Sequence, residues 1–207
     1  MPQKKRNLDR DGGQLRDSSL IIIASEDTHA VEQYFGKFSS SRVQVKVLNT
    51  QDGRSSPQGV ITRLNEYHSN LATEPNDSFW VCLDKDRWAS ESNMTGLTLV
   101  LRECNSRGFE FLMCNPCFEL WLLLHYVDVH GQNLNCGHVE KLLRTAAGGY
   151  NKKNVSRLEI NMQSVEAATQ RAKKLDSSKL KIPEVMSCQV FRIIEAMRDR
   201  GIVRIRD

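Results

Sequence analysis

The sequence predicts an α/β fold, a doubly wound and mostly parallel sheet of about four strands with a helical C-terminal part. Two runs, Leu20-Ile21-Ile22-Ile23-Ala24 and Phe79-Trp80-Val81-Cys82-Leu83, are apolar without interruption and rich in β-branched or aromatic residues. That is the composition of strands covered on both faces, as in a parallel sheet flanked by helices. Each run stops at acid: Ser25-Glu26-Asp27 in the first case, Asp84-Lys85-Asp86 in the second. Segments between the runs carry helical spacing. Strand alternating with helix implies right-handed crossovers and a parallel sheet.

Residues 1–17 contain Lys4-Lys5-Arg6 and Gly12-Gly13 but no apolar period, and are expected to form a disordered basic tail. The first strand follows, and then Val31, Tyr34, Phe35 and Phe38, at i, i+3, i+4 and i+7, predict an amphipathic helix over Thr28 to Phe38. Val43-Gln44-Val45-Lys46-Val47 alternates strictly, which predicts a strand with one polar face near the sheet edge. A turn-rich loop with Asp52-Gly53 and Pro57 leads to a second helix marked by Val60, Ile61, Leu64 and Tyr67. The central strand comes next, then a helix from about Thr95 to Cys104 closed by Gly108, then a fourth strand at Phe109 to Met113. Cys117 to Tyr126 is apolar nearly all round, so it predicts a buried helix. From Gly131 onward only helical periodicity is visible, over Val139 to Leu143, Ser156 to Leu175 and Ser187 to Met197. The expected organisation is a tail over residues 1–17, an α/β core over 18–130, and a helical region over 131–207 packed on it.

With 40% hydrophobic and 26% charged residues the chain has an ordinary globular composition, which excludes a disordered or membrane-embedded class. The longest apolar run, Leu120 to Leu124, is too short to cross a bilayer, and the polar N-terminus offers no signal segment; a cytoplasmic location is expected. The cysteines lie mostly in apolar stretches and read as small buried hydrophobes in a reducing compartment rather than a disulfide framework. A net charge of +4 permits a polyanionic partner without arguing for one.

In an extended segment Asp84 and Asp86 project to the same side, and two anions held that close repel unless a cation or proton sits between them. Ligand sites in open α/β sheets lie outside the carboxyl ends of the strands. In a sheet ordered 2-1-3 Glu26 joins the pair, and three carboxylates around one spot call for a divalent metal. Mg²⁺ or Mn²⁺ suits such oxygen ligands and pairs naturally with a phosphate-containing substrate. Glu26, Asp84 and Asp86 are thus the candidate metal ligands, with Glu26 also able to activate water. Lys85, Arg87, Lys152 and Lys153 are candidate phosphate contacts.

A capping turn rich in Asp explains Asp84 and Asp86 without any metal. A phosphoacceptor domain would need a Ser or Thr after the fourth strand, where Cys114-Asn115-Pro116 stands instead. Zinc is a further alternative, since Cys114, Cys117, Cys136 and His138 supply four nitrogen or sulfur ligands. His29, His68 and His130 read as surface residues.

Asn115-Pro116-Cys117-Phe118-Glu119-Leu120-Trp121-Leu122-Leu123-Leu124-His125-Tyr126 resembles the signature of RloB-like proteins, Ser-Asn-Pro-Cys-Phe-Glu-Leu-Trp-Leu-Leu-Leu-His-Phe. The strand ending at Glu26, then Tyr34-Phe35, Trp80-Val81 with Asp84 and Asp86, and Tyr150 with Lys152 match in the same order. The resemblance implies a Toprim-like fold, related to the metal-binding domain of topoisomerases, primases and OLD-family nucleases. It further implies metal-dependent phosphodiester chemistry at Glu26, Asp84 and Asp86, a role in phage defence, and an ATPase partner. Glu119 and His125 belong to the signature helix, and a charged Glu119 on so apolar a helix needs a partner, which makes it either a further catalytic candidate or a residue that ties down the sheet edge.

Departures from the family pattern are as informative. The family's Glu-Gly at the first acid reads Glu26-Asp27, its Thr-Glu pair reads Ala30-Val31, and its Pro-Ser-Thr reads Met186-Ser187-Cys188. An acid is lost unless Glu32 or Asp27 takes its place. Two functions are expected from these readings: a divalent-metal-dependent nuclease acting on DNA or RNA, or a non-catalytic sensor module that binds a nucleotide, a nucleic acid or a protein. Homo-oligomers are compatible with both.

Overall fold

The structure is a computed structural model that describes residues 18–27, 29–50, 53–88, 91–201 and 204–205. The tail expected over residues 1–17 lies outside the described residues, as do Thr28 and Asp52. In chain order the elements are β1 (Ser19–Ser25), α1 (Ala30–Phe35), β2 (Phe38–Ser39), β3 (Val43–Leu48), α2 (Pro57–Ser69) and β4 (Ser78–Asp84). A 3₁₀ turn at Asp86–Trp88 leads to α3 (Glu91–Arg107), β5 (Glu110–Asn115), α4 (Glu119–Leu123) and α5 (Cys136–Ala146). A second 3₁₀ segment, Lys152–Arg157, precedes α6 (Met162–Leu175), β6 (Ser187–Cys188), α7 (Phe191–Arg200) and β7 (Arg204–Ile205).

The main sheet has five strands in the order β3-β1-β4-β5-β6. The first four run parallel, so the lateral order of the expected strands is 2-1-3-4 and the alternating Val43–Leu48 strand sits at the edge. Alternation along each strand divides the core. Ile21, Ile23, Trp80, Cys82, Leu112 and Cys114 face α1 and the later helices, where Tyr34, Phe118, Trp121 and Ile194 are buried. Leu20, Ile22, Ala24, Phe79, Val81, Leu83, Phe111 and Met113 face α2 and α3, meeting Val60, Ile61, Leu64, Leu97 and Val100. Both faces are therefore dry, which is why these strands read as unbroken apolar runs.

Local signals place the helix ends. Ser56 accepts a hydrogen bond from Gly59 N–H at 3.1 Å with Pro57 at the first helical position of α2, and Asn161 and Ser164 form a reciprocal capping box on α6. Gly108 takes φ 69° where α3 gives way to β5, a conformation costly for any residue with a Cβ.

The C-terminal part differs from the purely helical expectation. Ser187–Cys188 forms β6, which adds antiparallel to β5 with Cys188 opposite Cys114, and Arg204–Ile205 pairs with Phe38–Ser39. Strands of two residues leave no period for a sequence reading to detect. Helix α7 accordingly starts at Phe191 rather than Ser187. The signature helix is also shorter than its apolar run, with regular helix over Glu119–Leu123 and looser turns continuing to Val127.

Candidate functional site

The site forms where β1 and β4 end side by side. Their parallel register sets Ser25 opposite Cys82, so Glu26 and Asp84 emerge from the same edge although 58 positions separate them. Glu26 is almost fully buried and accepts the backbone N–H of Asp84 on Oε1. Its Oε2 accepts the Trp88 indole N–H at 3.0 Å and lies 3.6 Å from the Arg87 guanidinium. Asp84, half-buried, accepts the Phe118 N–H on Oδ1 at 2.8 Å, which ties the end of β4 to the signature segment.

Asp86 does not follow Asp84 in an extended arrangement. The strand stops at Asp84 because Lys85 N–H bonds Cys114 O at 2.8 Å and Asp86 N–H bonds Pro116 O at 3.1 Å, turning the chain over the end of β5 into a 3₁₀ turn. Asp86 is exposed there, but its charge still acts on both Glu26 and Asp84.

Glu119, the first residue of α4, is also buried. Its Oε1 receives the Tyr150 hydroxyl at 2.9 Å and the Lys152 amine at 2.8 Å, and Lys152 lies 3.6 Å from Glu140 as well. Partial burial is the largest single influence on Lys152 and works to lower its pKa, but the charge and hydrogen bond of Glu119, with the charges of Glu140 and Asp27, together outweigh it and the amine ends above its ordinary value. Burial first, then the charges of Glu26, Glu119 and Asp86, holds the Asp84 carboxyl well above the ordinary range. Glu26 is raised too, chiefly by burial, and so is Asp86, whose carboxyl is partly desolvated against the site although the residue as a whole is exposed. Four carboxylates therefore crowd one edge of the sheet. The cations beside them, Arg87 on Glu26 and Lys152 on Glu119, are about half exposed.

A family model described as RloB-like protein matches residues 21–197. The chain belongs to the RloB-like family. No curated protein and no solved structure matches it.

Within this RloB-like chain the remaining expected residues have definite places. Lys85 donates to the carbonyls of Pro183 at 2.6 Å and Glu184 at 3.5 Å, so it fastens the 183–184 loop to the site. Arg87, Lys152 and Lys153 are exposed. Both candidates for the lost family acid have partners of their own: Asp27 accepts the His29 N–H at 2.7 Å and the Ala30 N–H at the start of α1, while its charge still acts on Tyr150 and Lys152, and Glu32 receives Asn49 Nδ2 at 2.5 Å.

His125 lies in the core, with Nδ1 on Trp121 O at 2.9 Å and Nε2 on the Tyr34 hydroxyl at 3.1 Å. A carbonyl accepts only, so Nδ1 carries the proton and Tyr34 donates to Nε2. Burial pushes the His125 pKa down to about 4, which keeps the ring neutral. His29 and His130 are exposed as expected, but His68 is a partly buried wedge whose ring meets Phe79 at 4.7 Å and Phe109 at 5.1 Å.

The cysteines depart from the expectation of unpaired hydrophobes. Cys114 is bonded to Cys188 and Cys117 to Cys136, while Cys82 and Cys104 are free and buried. Pairing between residues 74 and 19 positions apart is a tertiary event that apolar flanks do not reveal. Nor are Cys114, Cys117, Cys136 and His138 gathered as one zinc set, since Cys114 pairs elsewhere and His138 is exposed.

Sequence reasoning missed Trp88, Thr50 and Arg63. Thr50 Oγ1 donates to Glu26 O at 2.9 Å, and Arg63 bonds Ser25 O at 2.7 Å and Leu48 O at 3.2 Å, so both fix the turn that aims Glu26. Trp88, four positions after Asp84, carried a readable signal: a polar N–H on a loop directly beyond an acidic strand end.

Proposed function

We propose that this RloB-like protein is a divalent-metal-dependent nuclease that hydrolyses phosphodiester bonds of DNA or RNA, on a Toprim-like fold. The observation that carries the reading is that Glu26 and Asp84 emerge side by side at adjacent strand ends, with Asp86 in the turn beyond them near enough for its charge to act on both, and that all three carboxyl pKa values are raised. An all-oxygen donor set without a buried cation among the described residues suits a hard ion, Mg²⁺ or Mn²⁺. Asp84 and Asp86, with Glu26 behind them, would hold it. Bound there, the ion would supply electrostatic stabilisation to the phosphoryl oxygens.

The chain's own groups carry the rest. A buried Glu26 with a raised pKa is suited to accept a proton from attacking water, and Trp88 and the Asp84 N–H orient its two oxygens. Exposed Arg87 and Lys153 are suited to the nucleic-acid backbone, whereas Lys85 acts mainly on the 183–184 loop. Phage defence and an ATPase partner belong to the same proposal by family resemblance, and a cytoplasmic location belongs to it from the shortness of the apolar runs.

A second reading, a binding or sensor module, is favoured by one observation: Asp27 and Glu32, the two candidates for the family's second acid, are both held in hydrogen bonds of their own. One experiment separates the two. Wild-type protein and the Asp84→Ala/Asp86→Ala double variant are incubated with single- and double-stranded DNA and RNA plus Mn²⁺ or Mg²⁺. Cleavage by the wild type and none by the folded double variant supports the nuclease; equal cleavage by both overturns it, and binding without cleavage by the wild type selects the sensor.

A further inference from the structure

Beside the acid cluster, but chemically apart from it, the sulfurs of Cys117 and Cys136 and a carboxylate oxygen of Glu119 lie within 4.8 Å of one another. Glu119 has a divided environment. Its Oε1 is satisfied by Tyr150 and Lys152, but among the described residues the partner of Oε2 is the Cys136 sulfur alone, at 3.8 Å. With Cys136 bonded to Cys117, that sulfur carries no proton to give. A carboxylate oxygen on a side chain 1% exposed therefore faces two sulfurs with no donor, an arrangement that costs free energy unless something positive enters.

We propose that, once the Cys117–Cys136 bond is reduced, Cys117, Cys136 and Glu119 form a site for a thiophilic divalent cation of the Zn²⁺ class. In the reduction a dithiol gives two electrons and two protons; the S–S bond breaks, two thiols form, and the reductant closes its own disulfide. Cation binding then releases the two thiol protons. The charges match: two thiolates balance the dication, and Lys152 on Oε1 continues to balance Glu119. Cys136 occupies the first position of α5, an 11-residue helix whose N-terminal partial positive charge favours a thiolate. It is also the partly exposed member of the three, so the fourth coordination position opens on its side, to water or a further ligand. Soft sulfur ligands separate this site from the all-oxygen set at Asp84 and Asp86. An occupied site would join the start of α5 to the Cys117-Phe118 segment, whose amide holds Asp84.

The inference stands independently of the nuclease reading. The test uses the full chain, reduced and kept anaerobic, titrated with Co²⁺ alone as a spectroscopic probe and then with Zn²⁺. One equivalent of Co²⁺ giving a thiolate-to-cobalt charge-transfer band, displaced by Zn²⁺ and absent from the oxidised protein, is the expected result. Cys136→Ser, a substitution at a partly exposed position, weakens Co²⁺ binding at least about 100-fold, as loss of a ligand must exceed the effect of losing an outer-shell partner. Glu119→Gln weakens it while leaving sulfur ligation visible, and the Asp84→Ala/Asp86→Ala variant gives the same thiolate-to-cobalt band at one equivalent, whatever it loses at the oxygen ligands. No charge-transfer band in the reduced wild type, or an undiminished one in Cys136→Ser, overturns the proposal.

Discussion

Replacing Lys152 with Met strands a buried carboxylate, and the size of the effect follows from unequal burial. Glu119 is 1% exposed and Lys152 47%, with the amine 2.8 Å from Oε1. Exposed ion pairs contribute about 0–1 kcal/mol, whereas removing one partner of a fully buried pair costs about 3–5 kcal/mol. Lys152→Met falls between the two. The charge left behind is the buried one, but water reaches the place the amine vacates and the Tyr150 hydroxyl keeps donating at 2.9 Å. A loss of about 2 kcal/mol is expected. In a Glu119→Gln background no charge is stranded, and the same substitution should cost at most about 0.5 kcal/mol. The coupling energy of the cycle is then about 1.5 kcal/mol. Urea unfolding of the four proteins, compared at constant m-value, measures it. Equal costs of Lys152→Met in both backgrounds would refute the claim that this lysine neutralises Glu119.

Asp84 should reveal its crowding through pH. Burial and the charges of Glu26, Glu119 and Asp86 raise its folded-state pKa, so the folded protein holds that proton more tightly than the unfolded chain. The resulting stability is fully present below the ordinary carboxylate value of about 3.9 and is lost as pH rises through the raised one. Chelator-treated wild type should lose ground to Asp84→Asn, which keeps an oxygen for the Phe118 N–H, between acid and neutral pH, and added Mn²⁺ should narrow the gap. A pH-independent difference would contradict this. Tyr34→Phe keeps the ring contacts to Phe118 and Trp121 but leaves His125 Nε2 without a donor. A loss of about 1–3 kcal/mol is expected in denaturant unfolding, and a loss near zero would show that the pair has no structural role.

The sheet was readable in advance because its strands are covered on both faces. Ile21 and Ile22 go to opposite cores, so neither face tolerates a polar residue and the run stays apolar until Ser25. The same logic located Glu26 and Asp84, since an abrupt change from apolar to acidic can only sit at a strand end. It misjudged the path after Asp84, because the turn at Asp86 is made by carbonyls of Cys114 and Pro116, residues of another strand's end. It also left the C-terminal strands unseen, since two residues of β6 are held by pairing with Cys114 and Asn115 rather than by any pattern of their own.

By itself, then, the sequence determined the alternation of strand and helix, the acidic strand ends, the RloB-like signature and the need of Glu119 for a partner. These depend on periodicity and on the cost of burying charge, both local properties of the chain. Only the tertiary structure decided that β1 lies against β4, that Trp88, Thr50 and Arg63 aim Glu26, that Tyr150 and Lys152 answer Glu119, and that Cys117 meets Cys136. Each of those joins groups far apart along the chain or held by backbone atoms, and backbone carbonyls and N–H groups are the same at every residue, so no local pattern records which of them will meet.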